Sequence, residues 1–406
     1  MQRTILLLAL AFVASTSAYA QGCLPGGLVL TSQAQVNSFA ADHPGCTTIE
    51  GYLRIGPGAV NNLSGLSQLT AVNGYLQIGA NPQLTSLAGL DNLTSVGGRL
   101  SITGNAQLNT ISALANVTTV GGSLEISANN NLTSLQGLGS ITSVGGELEI
   151  TESPGLTNLQ GLEGLQTIGQ GILINENPVL STMQGLSPTS VGGGFSLMNN
   201  PQLLDLSAAS ELTSLGGVLS LIGNTALLSL QELSGITAVN GLVRVTGSSG
   251  LMSLDGLENI DPSTILNLII VNNPGLFQCA VESLCDYLAI PASTANITGN
   301  ATGCASRAEV EDACVSLSVD DPQFGKGDSL RLFPNPSSGV VGLRTNMEGL
   351  LHIQLLDAQG RLAHTVQRMH SGTHTLELAL DHLSAGTYVL QMRTEHTAAT
   401  RVLIRE

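Results

Sequence analysis

The sequence predicts an all-β chain in two parts. The first is a parallel β-helix, a leucine-rich solenoid of about ten rungs with disulfide-stapled caps; a small β-sandwich follows it. Three observations carry this reading. A block of 24 residues recurs through most of the chain. Six cysteines flank that array as Cys23/Cys46 and Cys279/Cys285/Cys304/Cys314, with 232 cysteine-free residues between Cys46 and Cys279. Beyond residue 329 the block vanishes and short strands separated by turn residues replace it.

Residues 1–20 predict a secretory signal peptide. Arg3 supplies its positive start, Ile5 to Val13 its apolar run, and Ala18-Tyr19-Ala20 its cleavage site, which puts the mature start at Gln21. The apolar run is shorter than the about 20 residues of a membrane span. Gly, Asn, Ser and Thr interrupt every later apolar run, so no transmembrane segment is expected in the mature chain. The 13 basic and 29 acidic residues give a formal charge of −16. That balance argues against nucleic acid as a partner, because neutralising phosphates takes clustered Lys and Arg. The charge is uneven. Residues 21–328 carry 5 basic and 23 acidic side chains, residues 329–406 carry 7 and 6, and six of the seven histidines lie beyond residue 351. This shift marks a domain boundary, with residues 316–328 as the linker.

The solenoid is expected over residues 51–275. Units open at Gly74, Gly98, Gly122 and Gly146, and the register continues from Gln170 with one residue lost. Each unit starts with a short alternating strand whose inward positions are apolar, as in Leu76/Ile78, Leu100/Ile102, Leu124/Ile126 and Leu148/Ile150. Further apolar columns follow at three-residue steps, one through Leu84, Leu108 and Leu132, another through Val96, Val120 and Val144. A single rung cannot bury these side chains, whereas stacked rungs join them into one core. Asn81, Asn105, Asn129, Asn177, Asn200, Asn224 and Asn273 recur after the strand, where a buried Asn can bond the corner backbone in a ladder along the stack.

The L-x-I…N-P-x-L-x-x-L-x-G-L…T-S-V-G-G blocks resemble the receptor L-domain family, a parallel β-helix of leucine-rich rungs. The resemblance specifies architecture and leaves the ligand open.

An open solenoid end exposes core and strand edges and needs a cover. Residues 21–50 are expected to cap the start, closed by Cys23–Cys46. Residues 276–315 are expected to form a helical, disulfide-bonded cap at the other end. Cys279-AVESL-Cys285-DYLA reads as an amphipathic helix, and Ser306 with Glu309 as a capping box. Four cysteines allow three pairings. Analogy with leucine-rich C-terminal caps implies Cys279–Cys304 and Cys285–Cys314. The spacing C-x5-C-x18-C-x9-C lacks the short knuckle of a zinc site, so no metal is expected there.

In residues 329–406, strand-like runs at Leu330–Phe333, Val340–Arg344, Leu351–Leu356, Thr373–Leu380, Thr387–Arg393 and Arg401–Ile404 alternate with turns. The segment resembles the type A C-terminal sorting domain of the type IX secretion system of Bacteroidota. The matching motifs are LFPNPSSG (Leu332, Phe333, Pro334, Asn335, Pro336 and Gly339), LLDAQGRLA (Gly360), LSAGTYVLQM (Gly386 and Tyr388) and the final RVLIRE. The resemblance implies export through the outer-membrane translocon and its processing machinery, to the cell surface or the medium. An ordinary Ig-like β-sandwich is the alternative reading.

Catalytic constellations are not evident. His43 is the one histidine before His352, and no G-x-S-x-G, H-E-x-x-H, G-x-G-x-x-G or P-loop occurs. The chain is therefore expected not to be an enzyme. His370 and His374 have a metal-like spacing, but Ser371-Gly372 between them reads as a hairpin turn. One surface stands out. Outward strand positions should stack as Tyr52/Arg54, Tyr75/Gln77, Arg99/Ser101, Ser123/Glu125 and Glu147/Glu149. Paired carboxylates can bind calcium or do acid–base work, though a solvated acidic face is the usual case. The candidate binding residues are thus Tyr52, Arg54, Tyr75, Arg99, Glu125, Glu147 and Glu149, with calcium as the one cofactor considered. With no Trp in the chain, a sugar-stacking platform is disfavoured. The expected function is an exported binding or adhesion protein for an extracellular protein or glycan. The alternatives are a polysaccharide-active enzyme using the acidic patch and a purely structural envelope protein.

Overall fold

The computed structural model describes residues 21–317, 330–333, 339–345, 347–357, 360–370, 376–394 and 398–405. The signal peptide, most of the linker, Pro334, Asn335, Pro336 and His374 lie outside them. The chain falls into two compact units that divide between Glu311 and Asp312.

The first unit is a parallel solenoid with two sheets running its length. One has 12 parallel strands, from Leu28–Leu30 to Ala295–Thr298, each pairing with the equivalent strand one rung away. The other has 10 strands, most of two residues, such as Ala71–Val72, Ser95–Val96 and Thr119–Val120. This second sheet is built from the Thr-Ser-Val blocks, which the sequence shows as an apolar column and the backbone turns into a strand. Between the sheets the chain advances in three-residue turns closed by hydrogen bonds such as Leu90 N to Leu87 O and Leu93 N to Leu90 O. Every third side chain therefore points inward, and Leu84, Leu87, Leu90, Leu93 and Val96 are all buried. In the strands the period is two, and Leu124 and Ile126 pair in register with Leu148 and Ile150, all fully buried. Each such leucine contributes about 1.5–3 kcal/mol through burial, and only stacking makes the burial possible.

The asparagine ladder fixes the stacking register. Asn105 Nδ2 donates to Ile78 O on the preceding rung at 2.9 Å, and Asn105 Oδ1 accepts from Asn81 N at 3.1 Å. Asn177 and Asn200 repeat the pattern, and Asn300 extends the ladder into the C-terminal cap. Ser153 and Ser248 take the place of Asn on two rungs. The residue before the ladder position adopts the left-handed conformation even where it is not glycine, at Ala80, Ala128, Glu152 and Glu176. At the paired-glycine corner the rungs approach closely, and a Cβ on Gly121 would collide with Gly97 O.

Both caps carry helices. Helix α1 (Gln33–Asp42) buries Val36 and Phe39 and opens with a capping box between Ser32 and Gln35. The expected N-terminal cap included no helix, although Ser32-x-x-Gln35 carries the signature of one. The N-terminal cap is also a rung of its own, since Gln21–Cys23 and Leu28–Leu30 join the two sheets. Helix α2 (Glu282–Ala289) seats Leu284, Tyr287 and Leu288 on the last rung, and buried Ser283 Oγ donates to Leu257 O at 2.6 Å. Helix α3 (Arg307–Leu317) keeps half of the expected capping box. Glu309 N donates to Ser306 Oγ at 3.2 Å, but the Glu309 carboxylate accepts from Gly303 N and Ala305 N instead of Ser306 N. Cys23 bonds Cys46 and Cys279 bonds Cys304, and no described cysteine is free.

The second unit is antiparallel, with a three-stranded and a four-stranded sheet sharing one core. Leu330, Val341, Leu343 and Leu378 meet Leu351, Ile353, Leu355, Tyr388, Leu390, Met392 and Leu403 in that core. Strand Leu362–His370, which is not among the expected strand runs, pairs with Gly349–Leu356 at the edge of the larger sheet. Most of its side chains are exposed, so no apolar alternation announces it. Of the motif residues, Leu332 packs against the core, Gly360 and Gly386 adopt positive φ, and the Tyr388 hydroxyl donates to Ser384 O at 2.8 Å. His370 is buried, with Nε2 3.4 Å from Thr345 O.

Candidate binding face on the long-strand sheet

In-register parallel pairing turns a repeat position into a surface column. Arg54 pairs with Gln77, Gln77 with Ser101, Ser101 with Glu125, and Glu125 with Glu149. Tyr52, Tyr75, Arg99, Ser123 and Glu147 lie immediately before these strands. The seven candidate residues thus share one face of the 12-stranded sheet, in two neighbouring columns.

The aromatic end of the face is a stack. The Tyr52 and Tyr75 rings lie 4.8 Å apart and 5° from parallel, the separation that adjacent strands impose. The Tyr52 ring also lies close against Gly27, where a Cβ would meet it. The inner ring faces are therefore spent on each other, and the outer face of Tyr52 on the cap. Beside the stack, Arg54 and Gln77 line a groove of about 380 Å³ together with Pro57, Gly79, Ala80, Thr103, Gly104 and Ala128.

The charged part of the face is bridged. Arg99 Nη2 lies 2.8 Å from Glu125 Oε2 and 3.4 Å from Glu149 Oε2. Ser101 Oγ donates to Glu125 Oε2 at 2.6 Å, and Glu147 N donates to Ser123 Oγ at 3.0 Å. One cation therefore sits against two stacked carboxylates while a third, Glu147, stands beside Glu149. Burial raises the Glu149 pKa, Arg99 works against that rise, and Glu125 and Glu147 add to it. The pairing of Glu125 with Glu149 follows from the 24-residue spacing. The two-rung reach of Arg99 and the roles of Ser101 and Ser123 do not, because a repeat alignment fixes columns and leaves side-chain direction open. The outward columns do put Ser101 next to Glu125, and this adjacency is the one sign of their contact that the repeat carries.

Among the described residues no group of three or more His, Cys, Asp or Glu side chains is arranged to hold a metal ion. His43 belongs to the N-terminal cap, its ring 5.2 Å from that of Phe39. No described helix is long and apolar enough to cross a membrane.

No curated protein matches the chain. Residues 45–116 match the family model of the Receptor L domain, and the structural repeat continues well past that segment, through strand Ile265–Val271. Residues 331–406 match the family model of the secretion system C-terminal sorting domain, a tail that implies type IX-directed export to the outer-membrane surface or the extracellular space.

Proposed function

We propose that this exported chain is a binding protein, adhesive in kind, that holds an extracellular protein or glycan partner on the face running from Tyr52 to Glu149. The observation that supports this most is the Arg99–Glu125–Glu149 bridge beside the Arg54–Gln77 groove. Rigid in-register strands hold these polar groups in place, so little side-chain entropy is lost when a partner binds. The partner would meet them edge-on, through tyrosine rims, an amide, a guanidinium and carboxylates. Such a surface suits hydrogen-bonded recognition better than sugar stacking. Calcium, if it takes part, would have to be shared with groups that the partner brings to Glu147 and Glu149.

Catalysis forms no part of this proposed role. The rungs offer no histidine to pair with a serine or cysteine, and Arg99 ties up the stacked carboxylates. The test is capture from the extracellular milieu by the purified solenoid-bearing protein, with and without calcium, against an Arg99→Ala/Glu125→Gln/Glu149→Gln variant. The wild type should retain a partner that the variant loses. Equal capture by both would remove the face from consideration. Turnover of a polygalacturonate-type substrate would replace binding with the enzyme reading.

A further inference from the structure

One column of the solenoid changes character along its length. The position after the buried leucine that follows the ladder is polar on five successive rungs, as Thr85, Asn109, Thr133, Thr157 and Ser181. On the next four it is Leu204, Leu228, Met252 and Phe277, with relative exposures of 58%, 57%, 50% and 54%. The preceding residues Leu203, Leu227, Leu251 and Leu276 are fully buried, so the core has already taken its side chain from each turn. Backbone bonds from Ser181 N to Thr157 O, Leu204 N to Ser181 O and Phe277 N to Met252 O keep the column aligned. The four apolar side chains therefore form a row about 14 Å long, at about 4.8 Å per rung. A scattered exposed leucine is ordinary, whereas a contiguous row of large apolar groups marks a contact surface.

The flank of the row is acidic. Asp205 adjoins Leu204; burial opposes its ionisation, but hydrogen bonds from Ser207, Thr182 and the Met183 amide outweigh that and lower its pKa. Asp255 is exposed on the rung of Met252 and accepts from Gln278 Nε2 at 3.2 Å. The nearest rungs carry one arginine, Arg244, and it lies on the long-strand sheet instead. A second copy of the solenoid would bring the same excess of carboxylates, so charge selects a basic partner.

We propose that this row docks an amphipathic helix lying along the solenoid axis, with one apolar stripe and a Lys/Arg flank. A helix repeats its stripe about every 5.4 Å, close to the rung spacing. A strand shows same-face side chains about every 6.6 Å and falls out of step within two rungs. About eleven residues of helix would cover the four rungs. This surface is separate from the Tyr52–Glu149 face and does not depend on it.

The test uses the mature full chain and a labelled synthetic leucine/lysine helix with its leucines on one stripe, followed by fluorescence anisotropy. The variant Leu204→Thr/Leu228→Thr/Met252→Thr/Phe277→Thr installs a residue type that earlier rungs carry at this position, and its melting is recorded alongside. Expected is an affinity loss of about tenfold or more in the variant, with no binding of a leucine/glutamate helix of the same stripe. Asp255→Lys alone should weaken binding several-fold, which keeps the test decisive if the quadruple variant melts early. Unchanged affinity in the variants overturns the proposal, as does equal binding of a leucine/lysine peptide with a scrambled stripe. Self-association of the wild type that the quadruple variant abolishes would assign the row to a second copy and also overturn it.

Discussion

Arg99 and Glu125 meet across one rung at 2.8 Å, and the same guanidinium nitrogen reaches Glu149 a further rung away at 3.4 Å. The arginine thus acts as a clamp on two like charges that the repeat forces into register. Arg99→Ala should cost about 1 kcal/mol, since the pair is partly exposed and its loss leaves the carboxylates opposed. Adding Glu149→Gln should recover most of that loss. Urea denaturation of the two single variants and the double variant measures the coupling, and additive effects would disprove the clamp.

Two carboxylates give opposite pH signatures. Glu149 has a raised pKa, so the folded chain holds its proton more tightly than the unfolded chain. Its contribution therefore falls as pH rises from the ordinary carboxylate value to the raised one. Asp205 has a lowered pKa, so its contribution is present above the ordinary value and is lost as pH falls through the lowered one. In thermal melts across the acid range, Glu149→Gln should remove the first effect and Asp205→Asn the second. A reversal of either slope would contradict the assignment.

The ladder makes unequal demands on its members. Asn177 Nδ2 donates to Ile150 O and Asn175 O, and its Oδ1 accepts from Ser153 N. Asn177→Ala would leave buried Ser153 N without its acceptor, at about 1–3 kcal/mol, and take one donor from Ile150 O and from Asn175 O, the latter still bonded by Glu152 N. Asn81 Oδ1, in contrast, has no partner. In the preceding turn Gly56 N and Gly58 N are bonded to Leu30 O and Ala80 O, and Pro57 has no N–H to offer. Asn81→Ala should therefore cost less than Asn177→Ala. Chemical denaturation of both variants checks the order.

Removing residues 329–406 should strand the chain in the periplasm. Cell fractionation with an antibody to the solenoid gives the measurement. Surface display of the truncated chain would mean that another segment carries the address.

The repeat made the solenoid legible, because inward strand residues such as Leu124 and Ile126 and the ladder asparagines recur at fixed spacing. The matched motifs did the same for the tail. Features written once were harder to see. Helix α1 has a readable cap but a weak apolar face, with only Val36 and Phe39 buried. Strand Leu362–His370 is an edge strand whose exposed side chains hide its periodicity. On the candidate face, residue columns could be placed from spacing, whereas the direction in which Arg99 lies depends on side-chain packing that no spacing encodes. The stacking of Tyr52 on Tyr75 was implicit in the register, and its consequence, that the inner ring faces are unavailable, appears only in three dimensions.

The ladder step spans 24 residues from Asn81 to Asn105 and 23 from Asn177 to Asn200, yet both amide-to-side-chain bonds measure 3.1 Å. The missing residue falls between Leu186 and Val191, where the turn is one shorter than that from Leu162 to Ile168. Register is thus set at one corner while another corner tolerates changes in length. A gene built this way can copy or drop a whole block without disturbing either stapled end. Each such event would move the far end of the solenoid by about 4.8 Å, so the length of the array can evolve in discrete steps.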